Sequence, residues 1–291
     1  MKIKVLMDNI SSGELAGEWG LSILIEYEGK KILLDTGASG AFAENAEKMG
    51  IDLAEVDFAV LSHAHYDHSD GMEAFFAVND HAPLYIRKAC QENCYSDDDG
   101  VMKYVGIHEG WLEKYRDRLV RVDGEYSPCP GVKLLPHSLD MKKAGLKARM
   151  YVKELDTFFP ELFQHEQSLV FEVEDGLVIF NSCCHGGVEN IIEEVRAAYG
   201  GRKIIGIVGG FHLYKTSADD VRKLAGRLQA SGVEFIVTGH CTGDEAFAIL
   251  HEVLGEKVRQ MHAGFKCDMT MTYYRTNITK YRGLFELAIV H

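Results

Sequence analysis

The stretch Leu61-Ser62-His63-Ala64-His65-Tyr66-Asp67-His68-Ser69-Asp70-Gly71 decides how this 291-residue chain is interpreted. Within six residues it carries four side chains of types that can ligate metal ions, namely His63, His65, Asp67 and His68. The apolar run before them, residues 56–62, predicts a short buried strand that ends where the ligands begin. A tetrahedral zinc ion takes about four nitrogen, sulfur or oxygen ligands. On so tight a loop the four side chains suit two adjacent ions, with the first two histidines on one ion and the Asp-His pair on the other.

Composition and charge limit the class of protein. Lys+Arg number 31 and Asp+Glu 44, and the formal net charge of −13 argues against a nucleic-acid backbone as the partner. We predict a single domain over residues 1–291 with a variable lid or insert around 86–165. The seven cysteines, the lack of a secretory pattern after Met1 and the lack of an apolar run of about 20 residues predict a cytoplasmic protein without a membrane partner. The sequence leaves open whether the chain forms a homo-oligomer.

The first 50 residues predict an antiparallel meander followed by a helix. The predicted strands cover residues 2–7, 21–28 and 31–35, with a tight turn at Gly29-Lys30 and a helix over 41–50. Asp35 ends the third strand. Its carboxylate either fixes the tautomers of the histidine loop or serves as a turn residue.

The second half of the chain alternates strand and helix, and three successive strands each deliver a histidine at their carboxyl ends. These histidines are His185, His212 and His240. Open α/β sheets bind ligands at that edge, so we expect the three side chains to converge with the His63 loop. Thr242 and Glu245 predict a capping box for the helix after the last strand.

Three other segments are less informative. Cys90 and Cys94 would need two more ligands for a structural zinc site, so free thiols on a solvated loop are favoured. The basic stretch 142–149 could meet a phosphate, but a solvated face is favoured. Residues 264–291 predict either closing strands or a final helix.

Several motifs together resemble the metallo-β-lactamase superfamily, and within it a dihydropterin synthase-like branch. They are Glu18-Trp19-Gly20-Leu21-Ser22, Leu34-Asp35-Thr36-Gly37, the His63–His68 loop, Glu166-Gln167-Ser168-Leu169, Cys183-Cys184-His185-Gly186-Gly187, Gly209-Gly210-Phe211-His212-Leu213 and Thr238-Gly239-His240-Cys241-Thr242-Gly243. The resemblance implies a four-layer αββα sandwich with a metal site at one edge. The sequence departs from the branch at residue 165, where His replaces an acidic residue, and whether His165 joins the site is left open.

The resemblance and the ligand spacing together imply two divalent ions, with zinc favoured and manganese or iron as alternatives. The first ion is assigned to His63, His65 and His185 and the second to Asp67, His68 and His240.

The predicted function is that of a metal-dependent hydrolase or synthase-like transferase that acts on a small phosphorylated or pterin-like substrate. Asp67 would orient a water molecule. His212 would bind substrate or donate a proton. The backbone amides of Gly186, Gly187 and Val188, at a helix start, would receive an anionic group.

Two other classes of function compete with this one. A di-iron redox enzyme on the same fold would have Glu at the position of His65 and would need a flavin partner. A non-catalytic metal or ligand sensor would keep the ligand set without turnover.

Overall fold

Two seven-stranded β-sheets pack face to face in the structure, a computed structural model that describes residues 1–137 and 149–269. The strands of the first sheet are β1 (Lys2–Met7), β2 (Ser22–Tyr27), β3 (Lys30–Leu34), β4 (Phe58–Val60), β5 (Leu84–Arg87), β8 (Leu119–Val122) and β18 (Lys266–Asp268). Those of the second are β9 (Tyr126–Cys129), β10 (Val132–Pro136), β13 (Gln167–Val173), β14 (Gly176–Phe180), β15 (Ile204–Val208), β16 (Phe235–Thr238) and β17 (Val258–Gln260).

Helices cover the outer face of each sheet. They are α1 (Ala41–Lys48), α2 (Tyr66–Ser69), α3 (Met72–Val78), α4 (Trp111–Lys114), α5 (Val188–Ala198), α6 (Ala218–Ala230) and α7 (Asp244–Leu254). The side chains of β2 show how the layers form. Ile23 and Ile25 point into the cluster between the sheets, whereas Leu24 points into the cluster beneath α1 and α3. A third cluster joins the second sheet to α5, α6 and α7. The predicted four-layer αββα sandwich is therefore confirmed.

Strand direction brings four loops to one edge of the sandwich. Strands β3, β4 and β5 are parallel to one another in the first sheet, and β14, β15 and β16 are parallel in the second. The loops after β4, β14, β15 and β16 carry the histidines singled out in the sequence. Each strand is buried along its apolar run, so the first polar residues after it emerge at this edge.

The part of the chain predicted to be a lid or insert contains its own antiparallel sheet. Its strands are β6 (Tyr95–Asp98), β7 (Val101–Tyr104), β11 (Met150–Glu154) and β12 (Thr157–Pro160), in the spatial order β12-β11-β6-β7. The basic stretch 142–149 lies outside the described residues except for Arg149. Of the tail, residues 266–268 form a closing strand, and residues 270–291 lie outside the described part.

Two local predictions were wrong. The turn between β2 and β3 lies at Glu28-Gly29 rather than Gly29-Lys30, and both of its residues have positive φ, as a two-residue hairpin of this type requires. Thr242 does not cap α7, whose N-cap is Gly243. Its hydroxyl lies 2.6 Å from that of Thr238 and accepts a hydrogen bond from the Phe211 backbone N–H instead.

Candidate metal centre

The loop after β4 forms the floor of the site. His63 and His65 follow the strand directly, and a single helical turn, α2, then carries Asp67 and His68. Gly20 packs against this turn so closely that a Cβ atom there would lie 2.9 Å from the Asp67 carbonyl oxygen. All four candidate ligands are buried.

His185, delivered by the loop after β14, closes a triangle of imidazole rings with the first two histidines. Ring centroids lie 4.6 Å apart for His63–His65, 4.9 Å for His63–His185 and 4.8 Å for His65–His185. The Nε2 atom of each of the three is buried and has no hydrogen-bond partner. Burial, reinforced by neighbouring histidines, holds the pKa of each ring well below its usual value. Three neutral imidazoles with unused nitrogens fit a metal ion.

A second group forms around Asp67. Its Oδ2 atom lies 3.7 Å from Nε2 of His68 and 3.5 Å from Nε2 of His240, which follows β16. The His240 Nε2 atom is buried and makes no hydrogen bond. Burial alone would lower the pKa of His240, but the negative charges of Cys241 and Asp67 raise it to about 9. Burial would raise the pKa of Asp67, but the two histidines outweigh it and hold that pKa below its usual range.

The sequence analysis missed Cys183. Its Sγ atom lies 3.2 Å from Nε2 of His68 and within 4.8 Å of ligand atoms in both groups, one with His63 and His185 and the other with His68 and His240. A thiolate here would reach both groups. Cys183 follows the same strand as His185, so its position after β14 was a signal that could have been used.

Hydrogen bonds behind the ligands set their tautomers. The Asp35 carboxylate accepts from the Ser62 backbone N–H at 2.7 Å and the Ser62 hydroxyl at 2.6 Å, and it lies 2.7 Å from Nδ1 of His68. Because the Ser62 hydroxyl donates to Asp35, the His63 Nδ1–H, 2.8 Å away, donates to Ser62. Proton placement inferred from this network leaves Nε2 of both histidines bare for a metal. Asp35 therefore contacts the histidine loop, one of the two roles considered for it.

Two of the three backbone amides expected to bind an anion, those of Gly186 and Gly187, already have partners. Glu166 is buried and accepts from the His185 N–H at 2.8 Å and the Gly186 N–H at 2.9 Å. The Gly187 N–H donates to the Cys184 carbonyl at 2.8 Å. Because the chain supplies its own carboxylate here, these contacts argue against the prediction that Gly186 and Gly187 bind a substrate anion. Glu166 instead holds the loop that carries His185.

His212 and His165 flank the cluster on its two sides. The His212 ring lies 4.3 Å from that of His185, and its Nδ1 atom is buried without a partner. His165 is buried 5.7 Å from the His65 ring, and its Nδ1 atom accepts from the Ala64 backbone N–H. Its Nε2 atom lies 3.7 Å from the Cys94 thiol. Cys94 is therefore buried beside the site rather than on a solvated loop.

Comparison with known proteins defines the class. The family model of the metallo-beta-lactamase superfamily matches residues 20–139. A solved structure, described as Tm1679, a metal-dependent hydrolase of the beta-lactamase superfamily, is 29% identical with a TM-score of 0.78 and covers 92% of this chain and 99% of its own. A diphosphatase of the PhnP family shares the fold, with a TM-score of 0.54. It is 15% identical and covers 92% of this chain and 97% of its own. Residues 20–139 therefore match the metallo-beta-lactamase superfamily, and the fold of the chain agrees with that match.

A particular enzyme is also similar over most of the chain. It is the 7,8-dihydropterin-6-methyl-4-(beta-D-ribofuranosyl)-aminobenzene-5'-phosphate synthase of Methanocaldococcus jannaschii, 27% identical over 84% of this chain and 88% of its own length. The resemblance found in the sequence is thus confirmed. Together these relatives support a metal-dependent enzyme with a small-molecule substrate, and the histidine and cysteine clusters could hold the metal. No helix among residues 1–137 and 149–269 has the length and apolar character to cross a bilayer.

Proposed function

We propose that this protein is a dinuclear metal-dependent enzyme acting on a small phosphorylated or pterin-like substrate. One observation carries the proposal. Four buried imidazole Nε2 atoms have no hydrogen-bond partner, those of His63, His65, His185 and His240. The rings of the first three form a triangle, Cys183 lies within reach of His63, His185 and His240, and Asp67 lies beside His240. Leaving this many polar atoms buried and unpaired would cost about 1–3 kcal/mol each, so the arrangement is explained by ligands that the protein binds there.

The ligands fall into two sets. His63, His65 and His185 would hold one ion, and Asp67, His68 and His240 the other. Cys183 stands within reach of both sets. The mixture of imidazole, carboxylate and thiolate favours zinc, and manganese and iron remain alternatives. Divalent ions bound there would polarise a phosphoryl or acyl oxygen and supply a hydroxide nucleophile at neutral pH.

The protein's own residues prepare the site for such a reaction. Asp67 stays ionised because His68 and His240 stabilise its charge, so it can accept a hydrogen bond from a water molecule and orient it. His212, whose Nδ1 atom is unpaired, would bind a substrate oxygen or transfer a proton to the leaving group. Hydrolase and synthase-like transferase chemistry would use the same residues, and the named relatives include one of each kind.

A metal-dependent phosphodiesterase assay tests the proposal. Protein stripped with a chelator and reloaded with Zn²⁺ or Mn²⁺ should hydrolyse bis(4-nitrophenyl) phosphate, and chelation should abolish the activity. His185→Ala should lose it by at least about 100-fold, because a ligand of the first ion is removed. His81→Ala is the matched control, because His81 is exposed and its Nδ1 atom lies 3.3 Å from the Asp80 carboxylate. Metal-independent activity, or equal loss in both variants, would refute the proposal.

A further inference from the structure

Two aromatic side chains form a rim beside the candidate metal centre. Trp19 is 41% exposed and Tyr214 is 40% exposed, and their ring centroids lie 5.3 Å apart with an interplanar angle of 72°. The Trp19 ring lies 5.3 Å from that of His240, and the Tyr214 ring lies 5.3 Å from that of His212. The rim, defined as Trp19 and Tyr214, therefore touches the two histidines on this side of the cluster while part of each ring remains in solvent.

The loop that carries Trp19 is fixed on both sides of it. The Glu18 backbone N–H donates to the Asp8 carbonyl at 3.2 Å, and the Gly20 N–H donates to the Asn9 side chain at 3.3 Å. The Glu18 carboxylate also accepts from the Ala38 N–H at 3.0 Å. The position of the indole is thus set by the fold.

Tyr214 is held in a similar way. The backbone N–H groups of Leu213 and Tyr214 both donate to the Cys241 carbonyl, at 2.9 and 3.2 Å. Gly243 packs so closely against this segment that a Cβ atom there would lie 2.9 Å from the Tyr214 Cβ. Aromatic rings that are already ordered lose little conformational freedom when a ligand stacks on them.

A cation lies near the rim as well. The Lys215 Nζ atom lies 5.6 Å from the centroid of the Tyr214 ring. The mouth of the site therefore combines two partly open ring faces with a positive charge, beside a buried cluster suited to metal ions.

We propose that the rim is a subsite for a planar heteroaromatic ring of the substrate, with the attached phosphate directed toward the metal centre. The inference rests on the proposed function and narrows its substrate to this chemical class. Trp19 adjoins His240, so a group bound at the second ligand set would present its neighbouring ring to the indole. Stacking of a base on an aromatic side chain contributes enough for about a fivefold to a 150-fold change in affinity.

Intrinsic tryptophan fluorescence provides a direct test, because the chain has only two tryptophans. Trp111→Phe leaves Trp19 as the sole indole, and Trp19→Phe leaves Trp111, which stacks on His108, as the matched control. Metal-loaded protein is titrated with guanosine 5′-monophosphate and with ribose 5-phosphate, which carries the phosphate without the ring. We expect the nucleotide to quench Trp19 but not Trp111, and to bind at least about tenfold tighter than the sugar phosphate.

Variants of the rim show whether Trp19 and Tyr214 act by stacking on a ligand ring or only by covering the neighbouring His240. Trp19→Leu and Tyr214→Leu should each weaken binding of the nucleotide about tenfold and leave that of ribose 5-phosphate and the metal content unchanged. Trp19→Phe and Tyr214→Phe should restore most of the affinity. Equal affinities for the two ligands, or equal losses for both in the leucine variants, would overturn the subsite.

The two proposals fail in different ways. Nucleotide-selective quenching of Trp19 without metal-dependent hydrolysis of bis(4-nitrophenyl) phosphate would overturn the proposed function and leave the aromatic subsite standing. Metal-dependent hydrolysis of bis(4-nitrophenyl) phosphate with equal affinity for the nucleotide and ribose 5-phosphate would overturn the aromatic subsite and leave the proposed function standing.

Discussion

The Sγ atom of Cys183 lies 3.2 Å from Nε2 of His68 and 3.3 Å from the Sγ atom of Cys241. This places a thiol between the two histidine groups at the centre of the site. Burial, with further contributions from Cys241 and Asp67, raises the pKa of the Cys183 thiol, so without a cation it stays protonated. A bound metal ion would remove that proton, since coordinated thiols are deprotonated.

Replacing Cys183 should therefore weaken metal binding. We expect Cys183→Ala to lower the affinity for at least one ion by ten- to 100-fold or more, with metal per chain measured by elemental analysis after desalting. Cys184→Ala is the control, because its thiol lies 3.8 Å from the Asn181 carbonyl within the core beneath α5. Unchanged metal content in Cys183→Ala would contradict the role proposed for this thiol.

Replacing Asp35 should weaken metal binding, because the Asp35 carboxylate orients the His68 ring. Asp35→Asn replaces one carboxylate oxygen by an NH₂ group, which cannot accept from both the Ser62 hydroxyl and the His68 Nδ1–H. We expect metal affinity to fall by about ten- to 100-fold while the far-ultraviolet circular dichroism spectrum stays unchanged.

Asp57→Asn is a matched change for Asp35→Asn, because Asp57 bonds Lys30 and the Lys31 backbone at the other end of the same sheet. Equal effects of the two substitutions on metal affinity would show that Asp35 acts through general stability.

The metal-free protein should lose stability as the pH falls from about 7 to about 5. Burial lowers the pKa of His63, His65 and His185, so the folded state keeps them neutral while the unfolded chain takes up protons near its ordinary value of about 6.5. The raised pKa values of His240, about 9, and of Asp8, about 6, oppose this trend, because each group takes up its proton more readily in the folded state. Burial also raises the pKa of Glu166, which acts in the same direction, so the expected slope is that of three histidines less these contributions.

Urea denaturation of chelator-treated protein at several pH values measures this dependence. Stability that is constant or rises between pH 7 and pH 5 would show that these three histidines are not buried as neutral rings. A His63→Asn variant should flatten the curve, because one of the three titrating groups is removed.

Glu166→Gln should disturb the loop that carries His185. Glutamine keeps one acceptor oxygen, but its NH₂ group faces the Gly186 N–H, which now donates to the Glu166 carboxylate. We expect a loss of kcat/KM of at least about tenfold and a free energy of unfolding lower by about 1–3 kcal/mol. Wild-type kcat/KM and stability in this variant would argue against a positioning role for Glu166.

Much of the site could be predicted because it depends on local order along the chain. The spacing of its side chains was enough to identify the His63 loop. The rule that parallel strands end at one edge was enough to place His185, His212 and His240 near it. The inner stripe of α6, formed by Val221, Leu224, Ala225 and Leu228, follows the helical period and is buried.

The missed features depend on contacts between distant residues or on backbone turns that periodicity does not specify. Cys183 and Cys184 are neighbours, yet only one faces the cluster, and Cys184 has a φ of 49° at this turn. The carboxylate bound by the Gly186 amide comes from Glu166, 20 residues away in sequence. Thr242 does not cap the helix because its hydroxyl is bonded to the Phe211 N–H and the Thr238 hydroxyl. Both partners lie outside the helix, so its local sequence pattern could not reveal them.

The number of metal ions per chain tests the central claim most directly. Elemental analysis of Zn²⁺-loaded, desalted protein should find two ions per chain in the wild type and at most one in His185→Ala or His240→Ala. A wild-type chain that retains no ion, or a His185→Ala variant that still holds two, would contradict the dinuclear centre on which the proposed chemistry depends.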